Sequence, residues 1–430
     1  MSDDDFRPAQ MIKERLQDRL RSEGALSVAA YMAEALFHPM AGFYATKDPL
    51  GAANDFITAP EICQMFGELL GLWAAECWMQ MGAPSRFELI ELGPGTGRMM
   101  SDMLRAGRAA PGFLDAVHVT LIEASPALKM VQGQTLASAS VPINWAKDFD
   151  KAPSGPAVVI GNEFLDCLPI RQAIRHKGQW RERVVTLHPE DEARFVYGLG
   201  PVLGEADVAF IAPGLREADD GTLVELRPGD QQQIDQLAAR FDRDPGYALF
   251  VDYGSAKPET GDTLQAIRAH KKQPPLLDPG TADLTARVDF ESLVLAARSA
   301  GLTAYGPEPQ GAWLLGLGLT GTISAATLIP GMLVVLGAGA MITPNVMADY
   351  QSLFTRGHGV ANAISGTALF LGGGLYGAIA SLWLNGSNML PVPLVMLAAC
   401  LVGGIGFWVT RHTAPSNQSA AHGSSSSAPA

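Results

Sequence analysis

Residues 87–98 read Phe-Glu-Leu-Ile-Glu-Leu-Gly-Pro-Gly-Thr-Gly-Arg, a largely apolar run that leads into three glycines spaced two residues apart. The apolar run predicts a buried strand, and Gly93, Gly95 and Gly97 predict a tight turn into a helix. Glycine has no Cβ, so the backbone can approach a ligand there, and the free amides of the helix N-terminus face its polar groups. The stretch therefore predicts an α/β fold that holds a nucleotide-like cofactor at this turn.

The spacing of the glycines separates two classes of cofactor. A dinucleotide fingerprint requires another glycine where this chain has Arg98, which disfavours nicotinamide cofactors. Glu91, two residues before the first glycine, suits a cofactor with an amino-acid end, because a carboxylate pairs with an ammonium group. Glu123 ends the next predicted strand, residues 118–123, where a carboxylate can accept both ribose hydroxyls. These residues predict that the cofactor is S-adenosyl-L-methionine. The alternative is that the stretch is a glycine-rich turn of some other kind of α/β domain.

A further predicted strand, residues 157–162, runs into a second set of polar residues, Asn162, Glu163 and Asp166. Ligands of open α/β sheets bind beyond the carboxyl ends of the strands, so these side chains are expected to face a methyl acceptor. Carboxylates there would hold a cationic acceptor such as guanidinium and orient it or take its proton. A helix N-cap with acids at its positive end is the alternative. Residues 170–235, with two β-like runs, read as an insertion that shapes substrate access or serves stability alone.

The segment before the first strand carries a third set of candidates. Thr58 to Glu61 predicts a capping box that opens a long apolar helix ending at Met81. The alternative is that Asp55, Thr58 and Glu61 line a substrate pocket, because a loop before such a sheet can fold back as a lid. Asp148 is a candidate for the surroundings of the adenine ring. The four cysteines lack metal-ligand spacing, so neither a metal site nor a disulfide framework is predicted.

The chain of 430 residues divides into two parts of unlike composition. The whole chain has a formal net charge of −13, which argues against binding to nucleic acid. From Pro309 onwards only Asp349, Arg356 and Arg411 are charged, and three apolar stretches there are long enough to cross a bilayer: residues 325–343, 360–384 and 389–410. We therefore expect about three transmembrane helices, with buried soluble helices as the alternative, and a disordered Ser/Ala-rich tail.

Taken in order, several motifs resemble the MidA-type S-adenosylmethionine-dependent methyltransferases, whose mitochondrial relatives help to assemble respiratory complex I by methylating an arginine of one subunit. The resemblance covers roughly residues 20–318 and rests on residues 55–61 with 66–67, 91–97, 162–169, 251–254, 283–286 and 288–290. It implies a class I methyltransferase fold, S-adenosylmethionine as donor and a protein arginine as acceptor. Asn54 stands where the family usually has glycine and Arg287 where it usually has histidine, which bears on details of the substrate.

The resemblance ends after residues 310–315, and the segment that supplies the family's last antiparallel strand does not follow. From about residue 326 the chain instead resembles the last three membrane helices of a drug-efflux transporter of the major facilitator superfamily. The predicted arrangement is therefore an N-terminal helical segment with a lid loop, a Rossmann-like domain with its β-rich insertion, a membrane segment and a tail: residues 1–85, 86–318, 319–411 and 412–430. The implied partners are a protein substrate, such as a respiratory-chain subunit, and a membrane.

Membrane topology gives a second test of whether these parts belong together. Positive residues mark the cytoplasmic side, so Arg356 and Arg411 are expected inside. By that rule the first membrane helix begins outside the cell, so the methyltransferase domain before it would also lie outside. This conflicts with the expected location, a membrane protein whose methyltransferase domain is in the cytoplasm. A join between two unrelated genes would explain the conflict. The alternative function is a membrane transport or scaffold protein with an inactive methyltransferase remnant.

Overall fold

The computed structural model describes residues 3–46, 59–268 and 270–319. Residues up to Glu308 form one compact unit, and residues from Pro309 form a second, in which α12 (Gln310–Leu319) is described. Helices of the first unit are α1 (Asp3–Glu23), α2 (Val28–Phe37), α3 (Phe43–Thr46), α4 (Ala59–Ile62), α5 (Gln64–Gln80), α6 (Arg98–Gly107), α7 (Phe113–Ala116), α8 (Pro126–Thr135), α9 (Glu205–Val208), α10 (Pro228–Phe241) and α11 (Phe290–Ser299). Its strands are β1 (Leu26–Ser27), β2 (Phe87–Leu92), β3 (Val117–Ile122), β4 (Ile143–Ala146), β5 (Ala157–Asn162), β6 (Arg171–His176), β7 (Gln179–His188), β8 (Asp191–Val202), β9 (Leu223–Leu226), β10 (Gly246–Val251), β11 (Gly254–Ser255), β12 (Gln265–Arg268), β13 (Lys271–Gln273), β14 (Asp283–Thr285) and β15 (Val288–Asp289).

The central sheet has the strand order β10-β5-β2-β3-β4, and all of its strand pairs are parallel. All six residues of β2 are buried, because strands of a parallel sheet are covered on both faces. The chain leaves β2 towards β3 on one side, whereas β5 lies on the other. The carboxyl ends of β2 and β5 therefore flank a topological switch point, where sheets of this kind bind ligands.

Helices α5 and α6 pack closely on one another beside this point. Gly67 and Gly71, one turn apart on α5, face α6, and a Cβ on Gly71 would lie 2.4 Å from the carbonyl oxygen of Met103. A Cβ on Gly67 would lie 2.7 Å from the Cβ of Asp102. Only glycine permits this approach at either position, so the two glycines fix α6, the helix that follows the glycine turn, against α5.

The predicted β-rich insertion forms a second sheet of five strands, ordered β1-β7-β6-β9 with β8 beside β7. Strand β1 comes from the N-terminal segment, where Leu26 pairs with Val185, and this pairing was not predicted from the sequence. Buried residues of α1 and α2 pack in one cluster with Ile170 and Val185. The insertion is thus anchored to the N-terminal helices by a shared apolar core.

The predicted single helix from the capping box to Met81 is wrong in one respect. Cys63 has extended backbone angles, φ −140° and ψ 107°, and separates the short helix α4 from α5. The side chain of Glu61 binds Thr96 and Arg98 of the glycine turn. Thr58, the other member of the predicted capping box, falls outside the described residues, so the capping box itself stays a prediction.

Strand β10 forms one edge of the central sheet among the described residues. On this side the family resemblance implies a further strand, and its absence from the chain stays a prediction because the residues after Leu319 lie outside those described. The helices within the described ranges include none with the length and apolarity that a bilayer crossing requires. The three predicted membrane stretches and the transporter resemblance fall beyond Leu319, outside the described residues.

Candidate active site

A cavity of about 860 Å³ opens at the carboxyl ends of β2 and β5. Nine of the residues predicted for the site line it: Glu61, Glu91, Gly93, Gly95, Glu123, Asp148, Asn162, Glu163 and Asp166. Gly97 lies behind the lining, next to Gln132. Asp55 and Thr58 fall outside the described residues. Cofactor and acceptor candidates predicted from distant parts of the sequence therefore meet around one space.

The glycine turn has a backbone that only glycine adopts without strain. The φ angles of Gly93, Gly95 and Gly97 are +61°, +54° and +80°, all in the left-handed region. A Cβ on Gly93 would lie 3.1 Å from Cδ2 of Phe164. Conformation requires glycine at all three positions and space also favours it at Gly93, so the turn presents bare backbone to the cavity.

Glu91 is a buried acid whose charge lacks a partner. It is 2% exposed, lines the cavity, and its Oε2 atom has no hydrogen-bond partner among the described residues. Burial raises the pKa of Glu91 to about 8. A buried acid without a counter-charge is costly, so a cationic group that enters the cavity and pairs with it would be bound strongly.

Glu123 follows β3, and both of its carboxylate oxygens are held. Oε1 accepts a hydrogen bond from the amide of Ser125 at 2.7 Å, and Oε2 accepts one from Nε2 of Gln132 at 3.1 Å. Burial raises the pKa of Glu123, and these two hydrogen bonds oppose the rise. Each oxygen retains a lone pair for a further donor, as the two hydroxyls of a ribose require.

Glu163 directly follows β5 and has an unusual backbone for its residue type. Its φ angle is +48°, and the strand end turns its side chain into the cavity lining. Oε1 accepts hydrogen bonds from the amide of Ala59 at 3.3 Å and from Nδ2 of Asn162 at 3.4 Å. Burial raises the pKa of the Glu163 carboxyl. Positive φ in a residue other than glycine concentrates at functional sites, where the surrounding structure supports the strain.

Three further acids lie beside Glu163. Asp166 is 9% exposed, and burial followed by the negative charges of Asp252, Asp283 and Glu163 raises its pKa well above the ordinary value. Burial likewise raises the pKa of Asp252 to about 6, although the amides of Tyr253, Asp166 and Leu165 donate hydrogen bonds to it. Asp283 accepts a hydrogen bond from the Tyr44 hydroxyl at 2.7 Å. Asp252 and Asp283 lie in motifs that the sequence analysis identified without assigning them a role, and Tyr44 was not predicted.

Glu61 links α4 to the glycine turn. Its Oε1 accepts a hydrogen bond from the Thr96 hydroxyl at 2.5 Å, and its Oε2 accepts one from Nη1 of Arg98 at 3.1 Å. Since the amide of Ala59 binds Glu163, this short helix contacts both the glycine turn and the acidic side of the cavity. Its position supports the pocket interpretation of Glu61 over the capping box.

These features fit S-adenosylmethionine. The glycine turn leaves room for a ligand beside the backbone, and the unpartnered Glu91 suits the ammonium of its amino-acid end. Glu123 retains acceptor capacity for the ribose. Asp148 and Phe149 line the part of the cavity that follows β4, where an aromatic ring can be covered. The chemistry of the available groups thus matches the cofactor along its length.

Comparison with known proteins identifies the family. A family of S-adenosyl-L-methionine-dependent methyltransferases matches residues 69–308 of the chain. The chain belongs to this methyltransferase family. The protein arginine methyltransferase NDUFAF7 of Xenopus laevis is 35% identical over 326 residues, which are 70% of this chain and 72% of that protein. The human NDUFAF7 is 34% identical over 336 residues, or 73% of this chain and 74% of its own length.

A solved structure agrees with this family assignment. A Burkholderia thailandensis protein crystallised with S-adenosyl-homocysteine bound superposes with a TM-score of 0.63 at 25% identity. The match covers 74% of this chain and 84% of that protein. The protein is therefore an S-adenosylmethionine-dependent methyltransferase with a class I methyltransferase-like α/β fold. The family and the cofactor predicted from the sequence are confirmed.

Proposed function

We propose that this methyltransferase transfers its methyl group to arginine side chains of a protein. The NDUFAF7 relatives are named protein arginine methyltransferases, and the cavity offers the chemistry that a guanidinium needs. The observation that carries the proposal is a set of three acids that line the cavity, Glu163, Asp166 and Asp283, with Asp252 next to Asp166. A guanidinium is planar and always charged, and it pairs with carboxylates through two parallel hydrogen bonds.

Asp166 and Asp252 have little positive charge beside them to balance their own negative charge. Arg227 lies behind Asp166 and Asp252, but its Nε donates to Asp230 at 2.6 Å and its other nitrogens donate to backbone carbonyls. Asp166 has no hydrogen bond to its carboxylate from any described residue. A cation that enters the cavity therefore supplies the positive charge that Asp166 lacks.

In the proposed mechanism the two ends of the cavity have different tasks. S-adenosylmethionine supplies a methyl group on a positively charged sulfur, which is open to attack by a nucleophile. Glu91, Glu123 and the glycine turn hold this donor in place. Asp166 and Asp283 would orient the guanidinium, and Glu163 would take the proton that the attacking nitrogen loses as the methyl group passes from the sulfur to that nitrogen. Positioning of the two reactants provides most of the rate, and proton removal adds to it.

Methyl transfer to arginine is tested directly with S-adenosylmethionine labelled on the methyl group. The full chain is incubated with an extract that contains respiratory-chain proteins, and the protein fraction is hydrolysed to amino acids. We expect the label in methylarginine, and the Glu163→Gln variant should incorporate about 100- to 1000-fold less of it. Label in methyllysine, or none from a protein that binds S-adenosylmethionine, would contradict the proposal.

A subunit of respiratory complex I is the acceptor that the family resemblance implies, and we propose it as the substrate class. The relatives are named as mitochondrial proteins. Membrane association of residues 319–411 and a cytoplasmic methyltransferase domain stay predictions, because only Leu319 of that segment is described. The same holds for the transporter resemblance, for the alternative function as a transport or scaffold protein and for a join of two genes.

A further inference from the structure

Gln132 on α8 is a buried amide that touches three parts of the cofactor side without lining the cavity. Its exposure is 0%, and its Nε2 donates to the carbonyl oxygen of Gly95 at 2.8 Å and to Oε2 of Glu123 at 3.1 Å. Its Oε1 accepts a hydrogen bond from Nε1 of Trp145 on β4 at 2.9 Å. The glycine turn, the acid after β3 and the next strand thus meet at one side chain.

The orientation of this amide is determined by its partners. An indole nitrogen can only donate, so the oxygen of Gln132 must face Trp145. The amino group must then face Gly95 and Glu123, both of which present acceptors. All hydrogen-bonding groups of the amide are used, and a flipped amide would place a donor against a donor and the oxygen against two acceptors.

We propose that Gln132 is a positioning residue for S-adenosylmethionine. Gln132 holds Glu123, the proposed ribose-binding carboxylate, at a fixed distance from the glycine turn. Both ends of the cofactor can then be bound at the same time. The backbone supports this role, since a Cβ on Gly97 would lie 3.4 Å from Cα of Gln132, which places α8 directly against the turn. The inference does not depend on the identity of the acceptor.

The role was not predictable from the sequence, because Gln132 is a polar residue within a short helix and lies 37 residues from Gly95. A purely structural role would make the residue matter for folding but not for the pH dependence of cofactor binding. A role through Glu123 predicts an effect on folding and an effect on the pH dependence of cofactor binding, because Gln132 keeps the carboxylate of Glu123 in place.

Binding of S-adenosylhomocysteine to the full chain, measured by titration calorimetry between pH 6 and pH 9, tests the proposal. We expect Gln132→Leu to weaken binding about 10-fold, because Glu123 and the Gly95 carbonyl lose their common donor. The matched control is Gln134→Leu, which alters an exposed glutamine on the same helix and should bind as wild type does.

The Gln132→Glu variant provides the decisive pH profile. At low pH a proton shared between the new carboxyl and Glu123 preserves the contact, whereas at high pH two carboxylates repel one another. Glu91 is present in both proteins and its ionisation raises the affinity of each towards pH 8, so the affinity of the variant relative to wild type should fall as pH rises. A folded Gln132→Leu variant with wild-type affinity, or a Gln132→Glu variant with the wild-type pH profile, would overturn the proposal.

Discussion

The Glu163→Gln variant is expected to lose about 100- to 1000-fold in turnover and to bind S-adenosylhomocysteine as tightly as wild type does. Glutamine keeps the shape of the side chain and can still accept the hydrogen bond from the amide of Ala59. It cannot take a proton from the acceptor nitrogen. The loss is measured as methylarginine formed per enzyme from labelled donor, with affinity from calorimetry on the same samples.

The pH dependence of wild-type turnover gives the same test from another direction. Burial raises the pKa of Glu163, and a base must be ionised before it accepts a proton. Turnover should therefore rise with pH through that raised pKa, and the variant should lose this rise. The exposed Glu190→Gln variant, in the hairpin between β7 and β8, is the matched control and should behave as wild type. Turnover in Glu163→Gln close to the wild-type value would exclude Glu163 as the base.

The Glu91→Gln variant is expected to change stability and binding in opposite directions. Burial raises the pKa of Glu91 from an ordinary 4.5 to about 8 in the folded chain, so the folded state binds more protons than the unfolded state between these values. The free energy of unfolding therefore falls as pH rises through this window. Glutamine removes the penalty, and at pH 7 we expect a gain on the order of 3 kcal/mol and a melting temperature about 5 °C higher without cofactor.

Cofactor binding should respond in the other direction. The ammonium of the cofactor pairs with the ionised form of Glu91, so Glu91→Gln should weaken binding of S-adenosylhomocysteine about 100-fold. At pH 7 the wild type must also release close to one proton when the cofactor binds, because Glu91 is protonated beforehand. Calorimetry in two buffers of different ionisation enthalpy measures this release. Unchanged affinity in the variant, or no loss of proton release, would contradict the role of Glu91.

The strands and turns whose structure depends on residues close in the sequence were predictable. The run before Gly93 and the three glycines predicted β2, the turn and the helix after it, and β5 was predicted with its observed bounds. Residues 170–235 were predicted to contain two β-like runs, and strands β6, β7, β8 and β9 lie in that range. In each case the physical cause, burial of a continuous strand or positive φ at a glycine, acts within a few residues.

Contacts between distant segments were not predictable in the same way. Tyr44 and Asp283 are 239 residues apart and meet only because the N-terminal helices pack near β14. The predicted helix was also interrupted at Cys63, whose extended backbone no local signal indicated. The sequence predicted residues of the cavity lining that stand beside strand ends and glycines, and it missed the contact between Tyr44 and Asp283.

The central claim is that the glycine turn between β2 and α6 receives S-adenosylmethionine. Titration of the full chain with S-adenosylhomocysteine tests it, with Gly95→Val as the disruptive variant and Gly178→Val as the control. Gly178 also has positive φ, +74°, and lies in the hairpin between β6 and β7, so valine there adds similar backbone strain away from the cavity. The account predicts dissociation constants of about 1–10 μM for wild type and the control, and no binding for Gly95→Val. Equal affinity in wild type and Gly95→Val would contradict it.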